Sequence, residues 1–274
     1  MPSSPAPPSQ IKLVISDIDG TLITSNHEVT AATQSAAAAL FERGIMLSLA
    51  SSRPSRSIRP LADALGLRSP FAAFNGALIT TAAGEMVARS SLSVATIARI
   101  KAIADDLSIS VWIYDEHEWC APTHDAFVER EEHTSGFSAN LADYAARLNQ
   151  PANKLTVVGK PEFVAEAERR VLATMSEEVS ASRSKPRFLD VTECGIHKGT
   201  VVARLSELLG ISRNAIAVIG DGPNDVDMFK QAAVSIAMGQ AVDEVRDAAR
   251  YSTASNDDEG WARGIEQYVL RSEQ

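Results

Sequence analysis

At 274 residues the chain exceeds the usual size of a single hydrophobic core, so one large α/β domain or two compact domains is expected, with two preferred. Hydrophobic residues at 45% and charged residues at 22% are enough to bury a real core and exclude global disorder. A formal net charge of -9 lacks the massed Lys and Arg of a nucleic-acid footprint, so no nucleic-acid partner is expected, and an anionic substrate would need local Lys, Arg, backbone N–H groups and a bound cation to attract it.

The opening MPSSPAPPSQ, residues 1–10, has neither a cationic start nor an apolar core segment and reads as a flexible Pro/Ser tail rather than a signal peptide. No stretch approaches the ~18 apolar residues of a membrane span, so no membrane partner is expected. Two cysteines, Cys120 and Cys194, are too few for a disulfide framework and fit a reducing cytoplasm. The first apolar run, IKLVIS (11–16), is followed by an Ala-rich helix that stops at Gly44 and by a second run, IMLSLA (45–50), which together make a β-α-β unit. FAAF (71–74), AIAVIG (215–220) and VSIAM (234–238) are further short apolar runs of the kind buried on both faces of a parallel sheet. Between them, helical stretches near 92–107, 138–149 and 161–178 alternate with the strand-like SISVWIY, EWCAP, KLTVVG and RFLDV, and VWIYDEHEWC reads as a hairpin. The expected architecture is therefore a Rossmannoid, doubly wound parallel α/β core over 11–83 and 188–274, with an α+β cap of antiparallel sheet inserted over 84–187.

Each core run ends in small or polar residues, and in open parallel sheets the carboxyl ends of the strands form the ligand crevice. The most informative of these ends is SDIDGTL (16–22): a D-x-D-G-T string is expected by chance on the order of 0.004 times in such a chain. The plain alternative is a pair of aspartates on a turn in which Gly20 supplies positive φ. Two carboxylates two residues apart at a strand end suit a nucleophile beside a general acid and base. GDGPNDVDM (220–228) adds Asp221, Asn224 and Asp225 on a Gly-rich turn, and so many carboxylates call for a hard dication such as Mg²⁺ with oxygen ligands.

The sequence resembles the haloacid dehalogenase superfamily, and within it the Cof-type phosphatases with a subfamily IIB cap. The likeness runs from Ile11 to Val269 through DIDGTL, ASSRP, CGIHKG and GDGPND in order, joined by FNGALI and SIAMGQAVDEVRDAARYSTASNDDEG. The resemblance implies an Mg²⁺-dependent phosphohydrolase that cleaves small-molecule phosphate monoesters, such as sugar phosphates, through an aspartyl-phosphate. It implies that Asp17 is the nucleophile, that Asp19 protonates the leaving oxygen and activates water, and that Asp17, the backbone carbonyl of Asp19, and Asp221 hold the metal. It further implies that Ser51 and Lys198 hold the phosphoryl oxygens, that Arg53, Asn75, Gly76 and Asn224 border the substrate, and that Asp225 supports the metal water or Lys198. A lysine suits that task as a compact point charge, although Lys198 alone could equally be a solvated residue at a helix start.

This chain departs from the usual family pattern in three places. Ser52 stands where glycine is common, and costs strain only if that position needs φ > 0. Gln240 replaces an Asn, and His197 precedes the lysine. In the cap, Trp112 and Tyr114 share a strand face and either fill the cap's own core or form a lid from which His117 or His124 reaches the leaving group. A phosphomutase or phosphotransferase on the same intermediate, and a non-catalytic phospho-ligand sensor, are the competing functions. Halide release is disfavoured because a leaving halide gives Asp19 no proton to deliver. The sequence leaves the substrate and the oligomeric state open.

Overall fold

A computed structural model of the protein describes residues 10–271, so all of the expected tail except Gln10 lies outside the described residues. The first core segment runs β1 (Leu13–Ser16), α1 (Ala31–Glu42), β2 (Met46–Leu49), α2 (Ser55–Ala64), β3 (Phe71–Ala73), β4 (Leu78–Thr80) and β5 (Met86–Arg89). The inserted segment runs α3 (Val94–Asp106), β6 (Ser110–Tyr114), β7 (Trp119–Cys120), α4 (Ala126–Ser135), α5 (Tyr144–Arg147), β8 (Lys154–Val158), α6 (Pro161–Met175), β9 (Val179–Lys185) and β10 (Phe188–Glu193). The chain returns to the core through α7 (Lys198–Leu209), β11 (Ile216–Gly220), α8 (Val226–Phe229), β12 (Val234–Ala237) and β13 (Tyr251–Ser252).

The core sheet is parallel throughout, in the order β13-β12-β11-β1-β2. Its strands are apolar because both faces are covered. Leu13 and Ile15 join Val201, Val202, Leu205 and Met228 of α7 and α8, while Val14 joins Ala36, Ala37 and Leu40 of α1 on the opposite face. Strand β1 has β2 on one side and the later β11 on the other, so the winding reverses there and its carboxyl end opens onto a switch-point crevice. FAAF departs from its expected place: β3 pairs antiparallel with β4, and it meets the main sheet through a single parallel bridge, Ala50 to Ala72.

The cap sheet is antiparallel, in the order β7-β6-β8-β10-β9. Strand alternation gives it two unlike faces. Val111, Ile113, Leu155, Val157, Leu189 and Val191 pack with Ile97, Ile100 and Val164 of α3 and α6. The intervening Trp112, Tyr114, Lys154, Thr156, Phe188 and Asp190 line a cavity shared with the core. Register places Tyr114 opposite Lys154 and Trp112 opposite Thr156, with Asp190 on the far side of Thr156.

Sheet pairing can be set beside the expected domain limits. Met86–Arg89 is hydrogen bonded to β4 on the core side, and Phe188–Glu193 belongs to the cap sheet, so the boundaries at 84 and 187 each fall short of a strand. The helix expected over 138–149 contracts to Tyr144–Arg147, because Asn140 makes an isolated bridge with Cys120 and its amide donates to Glu118 and Asp143. A helix absent from the expectation, Ala126–Ser135, is capped by the Asp125 carboxylate and closed by Gly136 at φ 79°.

Candidate active site

The loop after β1 is held by the loop after β11. The Asp17 N–H continues the ladder to the Ile219 carbonyl at 3.0 Å. Gly20 then turns at φ 79°, and a Cβ placed there would lie 2.4 Å from Asp221 Oδ2, so the close approach of the two acidic loops requires glycine. Thr21 Oγ1 donates to Asp221 Oδ1 at 2.9 Å. Gln240, one of the departures from the family pattern, donates from Nε2 to the Gly20 carbonyl at 2.5 Å and thereby supports the same turn.

Lys198 begins α7 and is buried between the two acidic loops. Its ammonium donates to Asp17 Oδ1 and to Asp225 Oδ1, each at 2.6 Å. The other Asp225 oxygen accepts the N–H groups of Asp221 at 3.0 Å and Gly222 at 2.8 Å, so this carboxylate shapes its own turn and holds the lysine in place. Asp17, Asp221 and Asp225 bring carboxylate oxygens within 4.8 Å of one another.

Charge is unbalanced in this cluster. Burial pushes the Asp17 carboxyl well above its usual range, and repulsion from Asp225 and Asp221 adds to this against the pull of Lys198. Burial, with Asp225, pushes Asp221 up to about 6. Burial alone would lower Lys198, but Asp17 and Asp225 overrule it and raise its pKa, so the ammonium stays charged. Three carboxylates around one ammonium leave excess negative charge on hard oxygen donors, and a hard dication such as Mg²⁺ fits that set. With Asp225 committed to Lys198 and two backbone amides, the carboxylates of Asp17 and Asp221 would be the ones to hold it.

Asp19 lies apart from that group. Arg53 grips its carboxylate with Nε at 2.7 Å and Nη2 at 2.6 Å. Burial would raise the Asp19 pKa, but the Arg53 hydrogen bonds and charge hold it below the usual range. Its side chain is thus engaged by arginine, which leaves the backbone carbonyl as its possible metal contact.

A cavity of about 170 Å³ lies over the cluster, and Asp17, Asp19, Arg53, Lys198, Asp221 and Asn224 are all on its wall. The remaining expected site residues are placed differently. Ser51 is buried beneath the wall and its Oγ accepts the Arg53 N–H at 3.2 Å, while the neighbouring Ser52 faces the cavity. Ser52 does not adopt positive φ, so its replacement of glycine carries no strain, and left-handed backbone falls instead on Phe74 at 52° and Asn75 at 56°. Asn75 lies in a second cleft behind Lys198, beside His197 and Asp227. Gly76, expected at the substrate, packs against α7, where an added Cβ would meet Val201 at 2.8 Å.

The cap histidines are likewise not on the cavity wall. His117 sits in the exposed hairpin loop, where its N–H donates to Asp115 Oδ1 at 2.7 Å, and His124 pairs with Glu132 at 3.1 Å. Trp112 and Tyr114 face both the cap interior and the cavity. They pack on Trp119 at 5.1 and 5.6 Å, and they line the cavity. Sequence reading missed Glu131, Lys154, Lys185 and Asp190, which are on the cap side of the cavity. For Lys154 and Asp190 a signal existed, namely a charge in the alternating pattern of an otherwise apolar strand. Lys154 spans the two domains: Nζ donates to the Ser52 carbonyl at 2.9 Å and to Asp190 Oδ1 at 3.1 Å, and lies 4.4 Å from the Tyr114 ring centroid.

Residues 14–265 match the haloacid dehalogenase-like hydrolase family. The chain belongs to that family. YxeH of Bacillus subtilis, whose name proposes a phosphatase, is 28% identical over 94% of this chain and 98% of its own. A haloacid dehalogenase-like hydrolase of Bacteroides thetaiotaomicron is 30% identical over 94% of this chain and 99% of its own, with a TM-score of 0.83. The HAD subclass IIB sugar phosphatase BT4131, at 23% identity with 94% and 99% covered, shares the fold with a TM-score of 0.84. The parallel core with its antiparallel cap is therefore the HAD fold, and the enzyme is a phosphatase of that family. Among the described residues, no helix is long and apolar enough to cross a membrane.

Proposed function

We propose that the protein hydrolyses phosphate monoesters of small polar metabolites, sugar phosphates or close equivalents, through an aspartyl-phosphate on Asp17 with Mg²⁺ as cofactor. The observation that carries this reading is the buried Lys198 ammonium, shared at 2.6 Å by Asp17 and Asp225 on the floor of a cavity that also exposes Asp19. The cavity, at about 170 Å³, is below the ~300–1,000 Å³ of sites for drug-sized ligands, which favours a small substrate.

In this reading the free oxygen of Asp17 attacks phosphorus while the ester P–O bond breaks, and Asp19 gives its proton to the departing oxygen. Water then attacks phosphorus and passes a proton to Asp19, the bond to Asp17 breaks, and free phosphate leaves. Lys198 holds Asp17 in line and offsets charge on the transferring group. The metal, when bound, neutralises phosphoryl charge. Arg53 adds a constraint: it keeps Asp19 ionised, ready to accept a proton, so donation in the first half requires substrate entry to loosen that grip and Asp19 first to take up a proton from solvent or from the monoanionic phosphate of the substrate. Asn224 borders the phosphoryl side, and Ser51 supports it through the loop that carries Arg53.

The test is turnover of p-nitrophenyl phosphate with Mg²⁺. Free phosphate should appear from the first turnover, and chelator should abolish it. Label from a ³²P-ester should be trapped on the wild-type chain and not on Asp17→Asn. Full activity in metal-free buffer, or transfer to a second metabolite without phosphate release, would contradict the reading.

A further inference from the structure

The transfer chemistry uses only the floor of the cavity. Its roof is the second face of the cap sheet, and two carboxylates there have no role in the steps above. Asp190 is buried in β10. Its Oδ1 accepts Lys154 Nζ at 3.1 Å and Thr156 Oγ1 at 2.9 Å, while Oδ2 is buried without a hydrogen-bond partner among the described residues. Glu131, on α4, lines the same cavity and receives one long hydrogen bond, from the Tyr114 hydroxyl at 3.4 Å. No ion pair ties Glu131 down among the described residues.

A buried acceptor that no protein donor reaches is costly until a ligand supplies the donor. Asp190 Oδ2 is such an acceptor, and the half-buried Glu131 carboxylate on the same wall, held among the described residues only by the long Tyr114 contact, keeps lone pairs free, so the two suit a leaving group with at least two donors. An amine would bring a positive charge beside the ammonium groups of Lys154 and Lys185, both on this wall, so neutral hydroxyls fit better. A second phosphate would bring more negative charge against Glu131 and Asp190. The aromatic groups Trp112, Tyr114 and Phe188 complete the roof and suit the C–H face of a hydroxylated carbon skeleton. Burial pushes the Glu131 carboxyl up, against the pull of Lys154 and with the repulsion of Asp190.

We propose that Glu131 and Asp190 form a hydroxyl-receiving subsite in the cap, and that this subsite selects phosphate esters whose leaving group is a polyol. The proposal rests on the phosphatase reading and names its substrate class. Lys154 and Thr156 fix the Asp190 carboxylate with one oxygen committed and one free, so Glu131 is the member that can be changed with the least damage to the cap.

The experiment compares sorbitol 6-phosphate, hexyl phosphate and p-nitrophenyl phosphate on the wild type, Glu131→Gln and Glu131→Ala, with thermal melting to confirm folding. The wild type should favour sorbitol 6-phosphate over hexyl phosphate by at least about tenfold in kcat/KM. Glu131→Ala should reduce the sorbitol ester about tenfold more than either other ester, chiefly through KM, and Glu131→Gln, which keeps one acceptor oxygen, should fall between. Calorimetric binding of the same non-aryl esters to Asp17→Asn, with and without Glu131→Ala, reads the subsite independently of turnover. Selective binding of the sorbitol ester that disappears with Glu131→Ala, in a wild type that turns over no ester, would sustain the subsite and defeat the phosphatase reading. Equal losses on all three esters, a wild-type preference for hexyl phosphate, or binding indifferent to Glu131 would overturn the subsite, while wild-type turnover of the aryl ester would leave the phosphatase reading standing.

Discussion

At the scale of single residues, the two aspartates of the first loop are distinguished by their partners. Asp17 faces Lys198 and the metal-fitting cluster, whereas Asp19 is clasped by Arg53. Asp17→Asn should therefore lower turnover by more than about a thousandfold with the fold intact, because an amide is a poor nucleophile. Asp19→Asn should slow both half-reactions and let phospho-enzyme accumulate; rapid-quench labelling separates the two, and residual Asp17→Asn activity within tenfold of wild type would be decisive against the mechanism. Gly20→Ala tests how tightly the acidic loops must meet. Its Cβ would strike Asp221 Oδ2 at 2.4 Å from a backbone at φ 79°, so Asp221 must move, and the Mg²⁺ concentration for half-activation should rise more than the substrate KM. By contrast, His117→Ala and His124→Ala, both away from the cavity wall, should change kcat/KM by less than about twofold on any ester.

At the scale of elements, the junction of cap and core depends on Lys154. This buried residue of β8 binds Asp190 within the cap and the Ser52 carbonyl of the core loop that precedes α2. Lys154→Met keeps the stem but leaves Asp190 as an uncompensated buried charge, at a cost of about 3–5 kcal/mol. Melting should fall by more than about 5 °C, and because the 51–53 loop also carries Arg53, the aryl ester should be affected as well as larger ones. A loss confined to large esters would show that the strut serves only the cap. Helix α4 carries Glu131, and its start depends on the Asp125 carboxylate, which accepts the N–H groups of Phe127 and Val128 at 2.9 and 3.0 Å. Asp125→Ala should cost about 1 kcal/mol in chemical denaturation.

At the scale of the whole molecule, the acidic cluster links stability to pH and to metal. Asp221 titrates at about 6 in the fold, above its usual carboxylate value, and Asp17 is raised as well. Between roughly pH 4 and 6 the folded state thus binds more protons than the unfolded state, so the contribution of Asp221 to stability is full below the unfolded pKa and is lost as pH rises through about 6. Mg²⁺ competes with those protons and binds the folded state. At a fixed Mg²⁺ concentration the rise in Tm should therefore be larger at pH 7 than at pH 5; an equal or smaller rise at pH 7 would place the ion elsewhere.

The parts of the chemistry that depend on local order were legible in the sequence. Asp17, Asp19 and Gly20 are fixed by chain spacing at the end of an apolar strand, Asp221 and Asp225 by a second such turn, and burial on both faces made the parallel core recognisable from its runs. The docking of those two turns through Gly20 and Thr21 joins residues about 200 apart in sequence, and only tertiary structure shows it. The bond between Arg53 and Asp19 and the position of His117 and His124 off the cavity wall likewise depend on which faces meet. The missed helix 126–135 had its signal in Asp125 and Gly136, whereas the expected helix 138–149 had propensity but lost Asn140 to side-chain and bridge contacts with β7 and its neighbours. Above all, alternation in a strand states that Lys154, Thr156 and Asp190 share a face, but not what that face looks upon. That the face closes over Asp17 and Asp19 follows from how the cap packs on the core, because its burial and its charge pairing come from residues distant in the chain.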